Sequence, residues 1–336
     1  MTTSTARMDT VSVIGGGAWG TALAQTASQS GKRVLLWARE ADVIDDINSR
    51  HVNRTFLPGV PLDPAIRATA DIAEAARSDV VLMVAPAQHL RGMSEAMARH
   101  LRDGQPFVIC SKGIEQASGK LMAEVAGETV ARTVHAVLSG PSFAADVVRG
   151  LPAALTLACR NEGIGRALAA ALSSRQMRLY WSSDVIGAQI GGAVKNVLAI
   201  AAGIVAGRGL GASAHAALVT RGFAELRRFA ECFGARPETL MGLSGLGDLI
   251  LTCGSPQSRN MSLGRALADG QSLEQILGSR HAVTEGVYTA AAVVKLARQK
   301  SIEMPIADAV HAIVEGDLSV DDAISGLMQR PLKAED

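Results

Sequence analysis

The longest apolar stretch of this chain carries a single ionisable residue near its middle. It runs over Val185–Gly207, with the sequence VIGAQIGGAVKNVLAIAAGIVAG, and that residue is Lys195. A stretch of this length either crosses a membrane or forms a helix inside a protein core. We expect a core helix and no membrane span, because a charge at the centre of a span costs about 2.5–3.5 kcal/mol. Gln189 and Asn196 add further polarity there.

Burial of Lys195 needs a compensating interaction, because its ammonium loses hydration inside a protein. Two interpretations stay open: a structural lysine whose ammonium snorkels to solvent, and a proton donor held beside the amide of Asn196. Asp248 stands between glycines and an apolar run and is a candidate counter-charge. Such a pair would offset the desolvation of both ions. Alternatively, Asp248 caps a helix that begins at Leu249.

Length and composition set broad limits on the function. With 336 residues, 48% of them apolar, the chain is long enough for two domains with substantial cores. Its 33 basic and 32 acidic residues form no long basic run, so we expect no nucleic-acid partner. Four cysteines without CxxC spacing and a polar N-terminus predict a cytoplasmic protein without a disulfide framework or metal site.

A glycine-rich turn follows the first predicted strand, Thr10–Ile14, and leads into a predicted helix that ends near Ser30. Gly15, Gly17 and Gly20 satisfy the spacing GxGxxG in this strand–turn–helix context. The first glycine permits the tight turn, the second lets backbone N–H groups approach a pyrophosphate, and the third lets the helix pack on the sheet. We therefore predict a dinucleotide site, the alternative being a merely glycine-rich turn.

Arg39 stands near the end of the second predicted strand, Arg33–Trp37. NAD-specific folds usually place an acid at that point to bind the ribose 2′-hydroxyl. A guanidinium there suits a 2′-phosphate instead, so we favour NADP(H) as cofactor, with NAD(H) possible. Glu40 follows directly and equally suits a pair with Arg39 or the start of the next helix.

Further strand-like runs alternate with helical ones through the first half of the chain. This alternation predicts an α/β fold with a Rossmann-type doubly wound, mainly parallel sheet. Ligands of such sheets bind beyond the carboxyl ends of the strands, which is where Lys112, Gly140 and Ser142 fall. The remaining strands are expected at 79–85, 107–110, 136–138, 154–158 and 177–181.

The second half has helical patterns, and the shift in composition near residue 184 predicts two domains. We expect a dinucleotide-binding domain over 8–184 and an all-α substrate domain over 185–330. Ser258, Arg259 and Asn260 open a predicted helix and form a candidate phosphate site, the alternative being a capped helix with a surface arginine. The helices are expected at 185–207, 212–233, 258–269, 272–278, 285–299, 304–315 and 319–329.

Taken together, these motifs resemble the bacterial-type NAD(P)-dependent sn-glycerol-3-phosphate dehydrogenases. The resemblance implies reversible hydride transfer between dihydroxyacetone phosphate and sn-glycerol 3-phosphate at C2, which supplies phospholipid synthesis. Ala18 departs from the family's frequent serine, and this puts one hydroxyl contact to phosphate in doubt that backbone N–H groups would cover. The segments that carry the resemblance are 15–23, 111–113, 139–144, 191–197, 246–249, 257–260 and 285–286.

The resemblance also implies roles for individual residues. Lys195 is the proton donor and acceptor, and Asp248 and Asn196 orient its ammonium or the substrate hydroxyl. The implied substrate positions are Lys112, Gly140, Ser142, Lys195, Asp248, Ser258, Arg259 and Asn260. The implied cofactor positions are Gly15, Gly17, Ala18, Trp19, Gly20, Arg39, Lys112, Ala144, Arg259, Val283 and Glu285.

Two other functions compete with this interpretation. One is a 3-hydroxyacid dehydrogenase with a similar domain arrangement, which also uses a lysine–asparagine site but does not require the phosphate site at 257–260. The other is a binding protein that senses the cofactor without turnover, which the intact proton-donor constellation disfavours. The apolar helical half makes a homodimer plausible.

Overall fold

An eight-stranded sheet organises the first half of the chain. The computed structural model describes residues 8–278 and 283–331. The sheet has the order β10-β9-β8-β7-β6-β1-β2-β5, with β8 and β9 antiparallel and the other neighbours parallel. The mainly parallel sheet is therefore confirmed. The strands are β1 (Thr10–Ile14), β2 (Arg33–Trp37), β3 (Val52–Asn53), β4 (Leu57–Pro61), β5 (Arg67–Thr69), β6 (Val80–Met83), β7 (Pro106–Ile109), β8 (Val134–Ser139), β9 (Ala153–Cys159) and β10 (Met177–Ser182).

Helices cover both faces of this sheet, as a doubly wound fold requires. Leu23 and Leu168 belong to a buried cluster on one face, and Met97 and Val125 belong to a second cluster. A 3₁₀ turn over Ala87–His89 and a π-helical turn over Asp46–Arg50 join the helices. These are α1 (Ala18–Gln29), α2 (Ala41–Asp45), α3 (Ile72–Ala75), α4 (Leu90–Ala98), α5 (Met122–Thr129), α6 (Ala144–Val148) and α7 (Glu162–Leu172).

The second half is helical throughout its described residues, and the bounds of its longer helices agree closely with the predicted ones. The structure adds α10 and a π-helical turn over Leu243–Gly247 that the sequence pattern did not predict. The helices are α8 (Val185–Gly207), α9 (Gly211–Cys232), α10 (Pro237–Leu240), α11 (Asp248–Gly254), α12 (Arg259–Ala268), α13 (Leu273–Gly278), α14 (Glu285–Gln299), α15 (Pro305–Glu315) and α16 (Val320–Met328).

The apolar stretch forms the central helix of this half. By length and composition α8 is able to cross a membrane, but 89% of its most apolar 18-residue window is buried inside the protein. Its apolar side chains pack in the core that α8 forms with α9, α11, α12 and α14. We conclude that the length of this stretch reflects a core helix.

Glycines bring α8 and α12 unusually close together. A β-carbon built on Gly203 would lie 2.0 Å from the carbonyl oxygen of Met261, and one built on Gly264 would lie 2.0 Å from that of Ile200. Any larger residue at either position therefore forces the two backbones apart. This crossing fixes the start of α12 relative to the part of α8 that carries Lys195.

Several predicted strands are longer or shorter than the observed ones, and the sequence pattern predicted neither the hairpin of β3 and β4 nor the strand β5. Asp79 lies outside β6, because its carboxylate accepts hydrogen bonds from the N–H groups of Asp9 and Thr10 at the start of β1, both at 3.0 Å. β4 contains Pro58 and Pro61, which cannot donate to a sheet and so obscure the strand pattern.

Candidate active site

The glycine turn between β1 and α1 has the geometry that its spacing predicts. Gly15 has φ 130°, and a β-carbon on Gly20 would lie 1.9 Å from the carbonyl oxygen of Gly15. A β-carbon on Gly17 would meet nothing within 4 Å, so the backbone there is open to an approaching ligand. Within the described residues, the buried Nε1 of Trp19 has no hydrogen-bond partner. An accessible backbone at a helix N-terminus and an unpaired N–H donor on Trp19 both suit the binding of a dinucleotide.

Arg39 follows β2 at the same edge of the sheet. Its side chain is 79% exposed and donates a hydrogen bond of 2.9 Å to Glu40. The pairing with Glu40 that the sequence left open is therefore present. An exposed pair of this kind is worth little, so Arg39 is available to an anionic ligand at small cost.

Asp248 joins two lysines from different parts of the fold. Its Oδ1 accepts from Lys195 Nζ at 2.6 Å, and its Oδ2 accepts from Lys112 Nζ at 2.7 Å. Lys112 Nζ also donates to the carbonyl oxygen of Gly140 at 2.9 Å, and Lys195 Nζ donates to Thr252 Oγ1 at 2.8 Å. Asp248 is the first residue of α11 and its side chain makes no cap. The expected contact with Lys195 is thus confirmed, and the capping interpretation is wrong.

Lys195 is the most strongly perturbed base in this cluster. The side chain is 8% exposed, so it does not snorkel to solvent. Burial lowers its pKa to about 8, and the positive charge of Lys112 acts in the same direction, whereas the carboxylate of Asp248 opposes the shift. An amine that titrates near 8 exchanges protons readily near neutral pH. Lys195 is therefore suited to both donate and accept a proton.

Asn196 makes no hydrogen bond to the ammonium of Lys195, so of the two roles expected for it the orientation of the ammonium is wrong, and the orientation of the substrate hydroxyl stays a prediction. Its Nδ2 donates to the carbonyl oxygen of Lys112 at 3.1 Å, and its Oδ1 accepts from Asn260 Nδ2 at 2.9 Å. Asn260 Oδ1 accepts in turn from the N–H of Gly286 at 3.0 Å. These amides tie together the loop after β7, α8, α12 and α14. Asp248 and Thr252 hold the ammonium instead.

The start of α12 combines a cap with a charged side chain. Ser258 Oγ accepts a hydrogen bond from the N–H of Met261 at 3.2 Å, which makes Ser258 the cap of this helix. Arg259 is the first helical residue and stays accessible to solvent. Desolvation by the surrounding protein lowers the pKa of its guanidinium, and Glu285 opposes this shift. The capped helix and the basic end are both present, so the two interpretations of this segment do not exclude each other.

Glu285 links the start of α14 to the loop that follows β6. Its Oε1 accepts from the N–H of Ala87 at 2.9 Å. Its Oε2 is buried, and no partner for it exists among the residues that the structure describes. Burial raises the pKa of this carboxyl, and the Ala87 N–H and the Arg259 guanidinium lower it. The buried Oε2 of Glu285 is therefore able to accept a hydrogen bond from a polar ligand. Val283 lies just before it and is half-buried.

The remaining predicted positions follow β8. Gly140 has φ 145°, a backbone angle that residues with a β-carbon rarely adopt. Ser142 Oγ donates to the carbonyl oxygen of Gly140 at 3.2 Å, and Ala144 is the first residue of α6. Because β1, β6, β7 and β8 are successive neighbours in the sheet, the turns at Gly15, Lys112 and Gly140 line one edge.

Thr252 is the site residue that the sequence reasoning missed. Besides receiving the Lys195 hydrogen bond, its hydroxyl donates to the carbonyl oxygen of Asp248 at 2.6 Å. It lies four residues after Asp248 on the same helix, and this spacing places two side chains on one face. The i,i+4 relation to Asp248 was the signal that could have found it.

Comparisons with known proteins agree with this geometry. Residues 10–176 match the model of the N-terminal region of NAD-dependent glycerol-3-phosphate dehydrogenases, and residues 184–325 match that of the C-terminal region. The chain belongs to the NAD-dependent glycerol-3-phosphate dehydrogenase family. Members of this family are oxidoreductases, and the residues described above fit a nicotinamide cofactor.

Individual glycerol-3-phosphate dehydrogenases are similar over nearly the whole chain. The "Glycerol-3-phosphate dehydrogenase [NAD(P)+]" of Parvibaculum lavamentivorans is 57% identical over 97% of this chain and 98% of its own length. The protein of the same name from Caulobacter vibrioides is 58% identical over the same shares. A crystal structure of glycerol-3-phosphate dehydrogenase from Coxiella burnetii superposes with a TM-score of 0.92 at 36% identity, covering 96% of this chain and 99% of that one.

Proposed function

We infer that this protein catalyses the NAD(P)H-dependent, reversible reduction of dihydroxyacetone phosphate to sn-glycerol 3-phosphate. The observation that carries the inference is the bridge of Asp248 between Lys195 and Lys112, at the sheet edge that also holds the glycine turn. A buried acid–base pair beside a dinucleotide turn suits proton transfer coupled to a redox step. The names of the relatives specify glycerol 3-phosphate, and oxidation of that compound at C2 gives dihydroxyacetone phosphate.

The chemistry divides between cofactor and protein. A bound nicotinamide supplies the hydride for C2. The protein must then supply a proton to the C2 oxygen, and we assign this proton to Lys195 Nζ, which takes it back in the oxidation. Asp248 and Thr252 hold the ammonium in place, and Asp248 also holds Lys112 beside the same space. General acid–base assistance of this kind contributes about 10²–10⁴-fold to the rate.

We propose the following binding assignments. Asn196 acts by tying α8 to the Lys112 loop and to Asn260. The substrate contacts are Lys112, Gly140, Ser142, Lys195, Asp248, Ser258, Arg259 and Asn260. The cofactor contacts are Gly15, Gly17, Ala18, Trp19, Gly20, Arg39, Lys112, Ala144, Arg259, Val283 and Glu285.

One spectrophotometric assay tests the function. The purified protein is mixed with dihydroxyacetone phosphate and with NADPH or NADH in turn, and the loss of absorbance of the reduced cofactor is followed. We expect turnover with dihydroxyacetone phosphate and none with a 3-oxoacid. Cofactor binding without turnover would support the sensing protein, and turnover with the 3-oxoacid alone would support the hydroxyacid dehydrogenase.

Arg259 is expected to hold the phosphate of the substrate. Arg259→Ala should raise KM for dihydroxyacetone phosphate by about 10- to 100-fold, because hydrogen bonds to charged groups contribute about 1.5–3 kcal/mol. Steady-state kinetics with saturating cofactor measure this change. Arg265→Ala, in the last turn of the same helix, is the control and should leave KM unchanged. Equal KM values for the wild type and Arg259→Ala would contradict the assignment.

Arg39 is expected to select the cofactor. NADP(H) is favoured because a guanidinium at this position suits a 2′-phosphate, and NAD(H) is also accepted. Arg39→Ala should raise the Kd for NADPH by about 10-fold, the effect of one lost charge-assisted contact, and leave the Kd for NADH nearly unchanged. Titration with both cofactors measures the ratio. A similar loss for both would show that Arg39 does not read the 2′-phosphate.

We further propose that the protein works in the cytoplasm as a homodimer and supplies glycerol phosphate for phospholipid synthesis. The exposed apolar side chains of Leu210, Met241 and Ile250 in the helical half support self-association. We also propose a domain division between 8–184 and 185–330, which the change from strands to helices supports. Analytical ultracentrifugation tests the dimer.

A further inference from the structure

The hairpin of β3 and β4 packs against the glycine turn through one buried side chain, Asn53. This residue is fully buried. Its Nδ2 donates to the carbonyl oxygen of Gly16 and to Thr21 Oγ1, both at 2.8 Å. Its Oδ1 accepts from the N–H of Phe56 at 3.0 Å. The amide therefore connects the hairpin to the turn with hydrogen bonds from both of its polar atoms.

The contact with Gly16 fixes the direction of the following N–H group. The carbonyl of Gly16 and the N–H of Gly17 belong to one planar trans peptide, so they point in opposite directions. Because Asn53 holds the carbonyl toward the buried hairpin, the Gly17 N–H points away from it. The space at Gly17 is open on its free side.

Thr21 does the same for the next peptide. Its hydroxyl accepts from Asn53 and donates to the carbonyl oxygen of Gly17 at 3.0 Å, and this oxygen also accepts from the N–H of Thr21 at 2.9 Å. The N–H of Ala18 shares that peptide with the Gly17 carbonyl. Asn53 thus acts on two consecutive N–H groups at the start of α1, directly on the first and through Thr21 on the second. Such N–H groups have no partner within the helix and suit an anionic oxygen.

The hairpin is well anchored, so Asn53 has a stable support. Ser28 Oγ donates to Asp63 Oδ2 at 2.9 Å, and the N–H of Asp63 donates to Gln25 Oε1 at 2.8 Å. The N–H of Leu62 donates to the carbonyl oxygen of His51 at 2.7 Å, which closes the base of the hairpin. The segment is therefore attached to the far end of α1 as well as to its start.

We propose that Asn53 is a positioning residue for dinucleotide binding, which aims the Gly17 and Ala18 N–H groups at the cofactor pyrophosphate. The proposal rests on the proposed function, since it needs a dinucleotide at this turn. Ala18 has no hydroxyl to offer a phosphate, so the backbone N–H groups bear more of the contact. Asn53 itself does not touch the cofactor.

Asn53→Ala tests this role, with Asn48→Ala as the control for loss of a side-chain amide that binds backbone. Asn48 lies in the π-helical turn that precedes β3, and its amide donates to the carbonyl oxygen of Ala68 at 2.9 Å and accepts from the N–H of Ala68 at 2.8 Å. Each substitution therefore removes one side-chain amide that holds the backbone. Of these two asparagines, Asn53 is the one whose amide binds the glycine turn. Calorimetric titration with NADPH, steady-state kinetics and thermal unfolding are measured for the full chain.

We expect Asn53→Ala to raise the Kd and KM for NADPH by about 10- to 100-fold, the effect of misplacing a hydrogen bond to a charged group. Its KM for dihydroxyacetone phosphate and its kcat should stay within about twofold. Asn48→Ala should lower Tm less, because Asn48 is exposed and Asn53 is fully buried, and it should leave the Kd for NADPH unchanged. A merely structural role would lower Tm in both variants and change the Kd in neither.

Thr21→Val provides a second test if Asn53→Ala does not fold. It removes one of the two hydrogen bonds to the Gly17 carbonyl and leaves the one from the Thr21 N–H, so we expect a smaller rise in the Kd for NADPH in the same direction. An unchanged Kd in whichever variant folds overturns the proposal. Failure of the wild type to bind either NADPH or NADH would overturn the proposed function instead, so the two failures are distinguishable.

Discussion

Replacement of Lys195 by alanine is expected to lower kcat by about 10²–10⁴-fold, the usual contribution of a general acid. The Kd for NADPH should change little, because the hydrogen bonds of the Lys195 ammonium go to Asp248 and Thr252 and not to the glycine turn. The fold should survive, since Asp248 keeps its hydrogen bond from Lys112. Steady-state and binding measurements on the purified variant give both quantities.

The pH dependence of the wild type adds a second readout to this prediction. The reduction uses the ammonium form of Lys195, whose pKa is about 8, so its rate should fall as the pH rises through 8. The oxidation uses the neutral amine and should rise over the same range. Lys295→Ala, at an exposed position of α14, is the control and should leave kcat and the profile unchanged. Near-normal turnover of Lys195→Ala would refute the assignment of the proton donor.

Asp248→Asn is expected to have the largest effect on stability. It removes the counter-charge of two lysines, one of them 8% exposed and the other 16%. Breaking a buried pair by removing one partner typically costs about 3–5 kcal/mol. The loss should be greatest at pH 6, where Lys195 is charged, and smaller at pH 9, where Lys195 is mostly neutral. Urea unfolding at the two pH values measures it.

The same variant should also shift the pH profile of any remaining activity. Asp248 raises the pKa of Lys195 against the effect of burial. Without its charge that pKa falls, so the decline of the reduction should begin at lower pH than in the wild type. Asp308→Asn is the control. The side chain of Asp308 is half-exposed and its ion pair with Arg298 is long, at 3.8 Å, so its removal should leave the pH profile unchanged. A profile that stays in place would mean that Asp248 does not set the pKa of Lys195.

The fold was largely predictable wherever local pattern and burial agree. The second half shows this best: α8 and α14 begin and end at the predicted residues, and Gly234, Gly270 and Gly316 have φ of 85°, 85° and 82° at helix ends. Such angles favour glycine, so the sequence marks these ends directly. The segment 237–247 escaped prediction because its glycines conceal a π-helical turn that runs into α11, whereas a helix from Leu249 was one of the two interpretations of that region.

The candidate site was predictable in its members more than in its connections. The pairing of Lys195 with Asp248 follows from the electrostatics of burial, which demands a counter-charge for an amine in a core helix. That Asp248 also binds Lys112 depends on how three distant segments fold together, and no local pattern encodes it. Asn196 carries no signal of its partners either. The Asn53 contact depends on a two-residue strand, which is too short for any periodicity.

The close crossing of α8 and α12 has a consequence for the energetics of ligand capture. Lys195 is on one of these helices and Arg259 is at the start of the other, and the backbone contacts at Gly203 and Gly264 leave no room for independent adjustment. The separation of proton donor and guanidinium is therefore set during folding. A ligand that spans the two groups finds them already arranged. Its binding therefore does not lose the conformational entropy that ordering these groups would cost, and its affinity is higher for that reason.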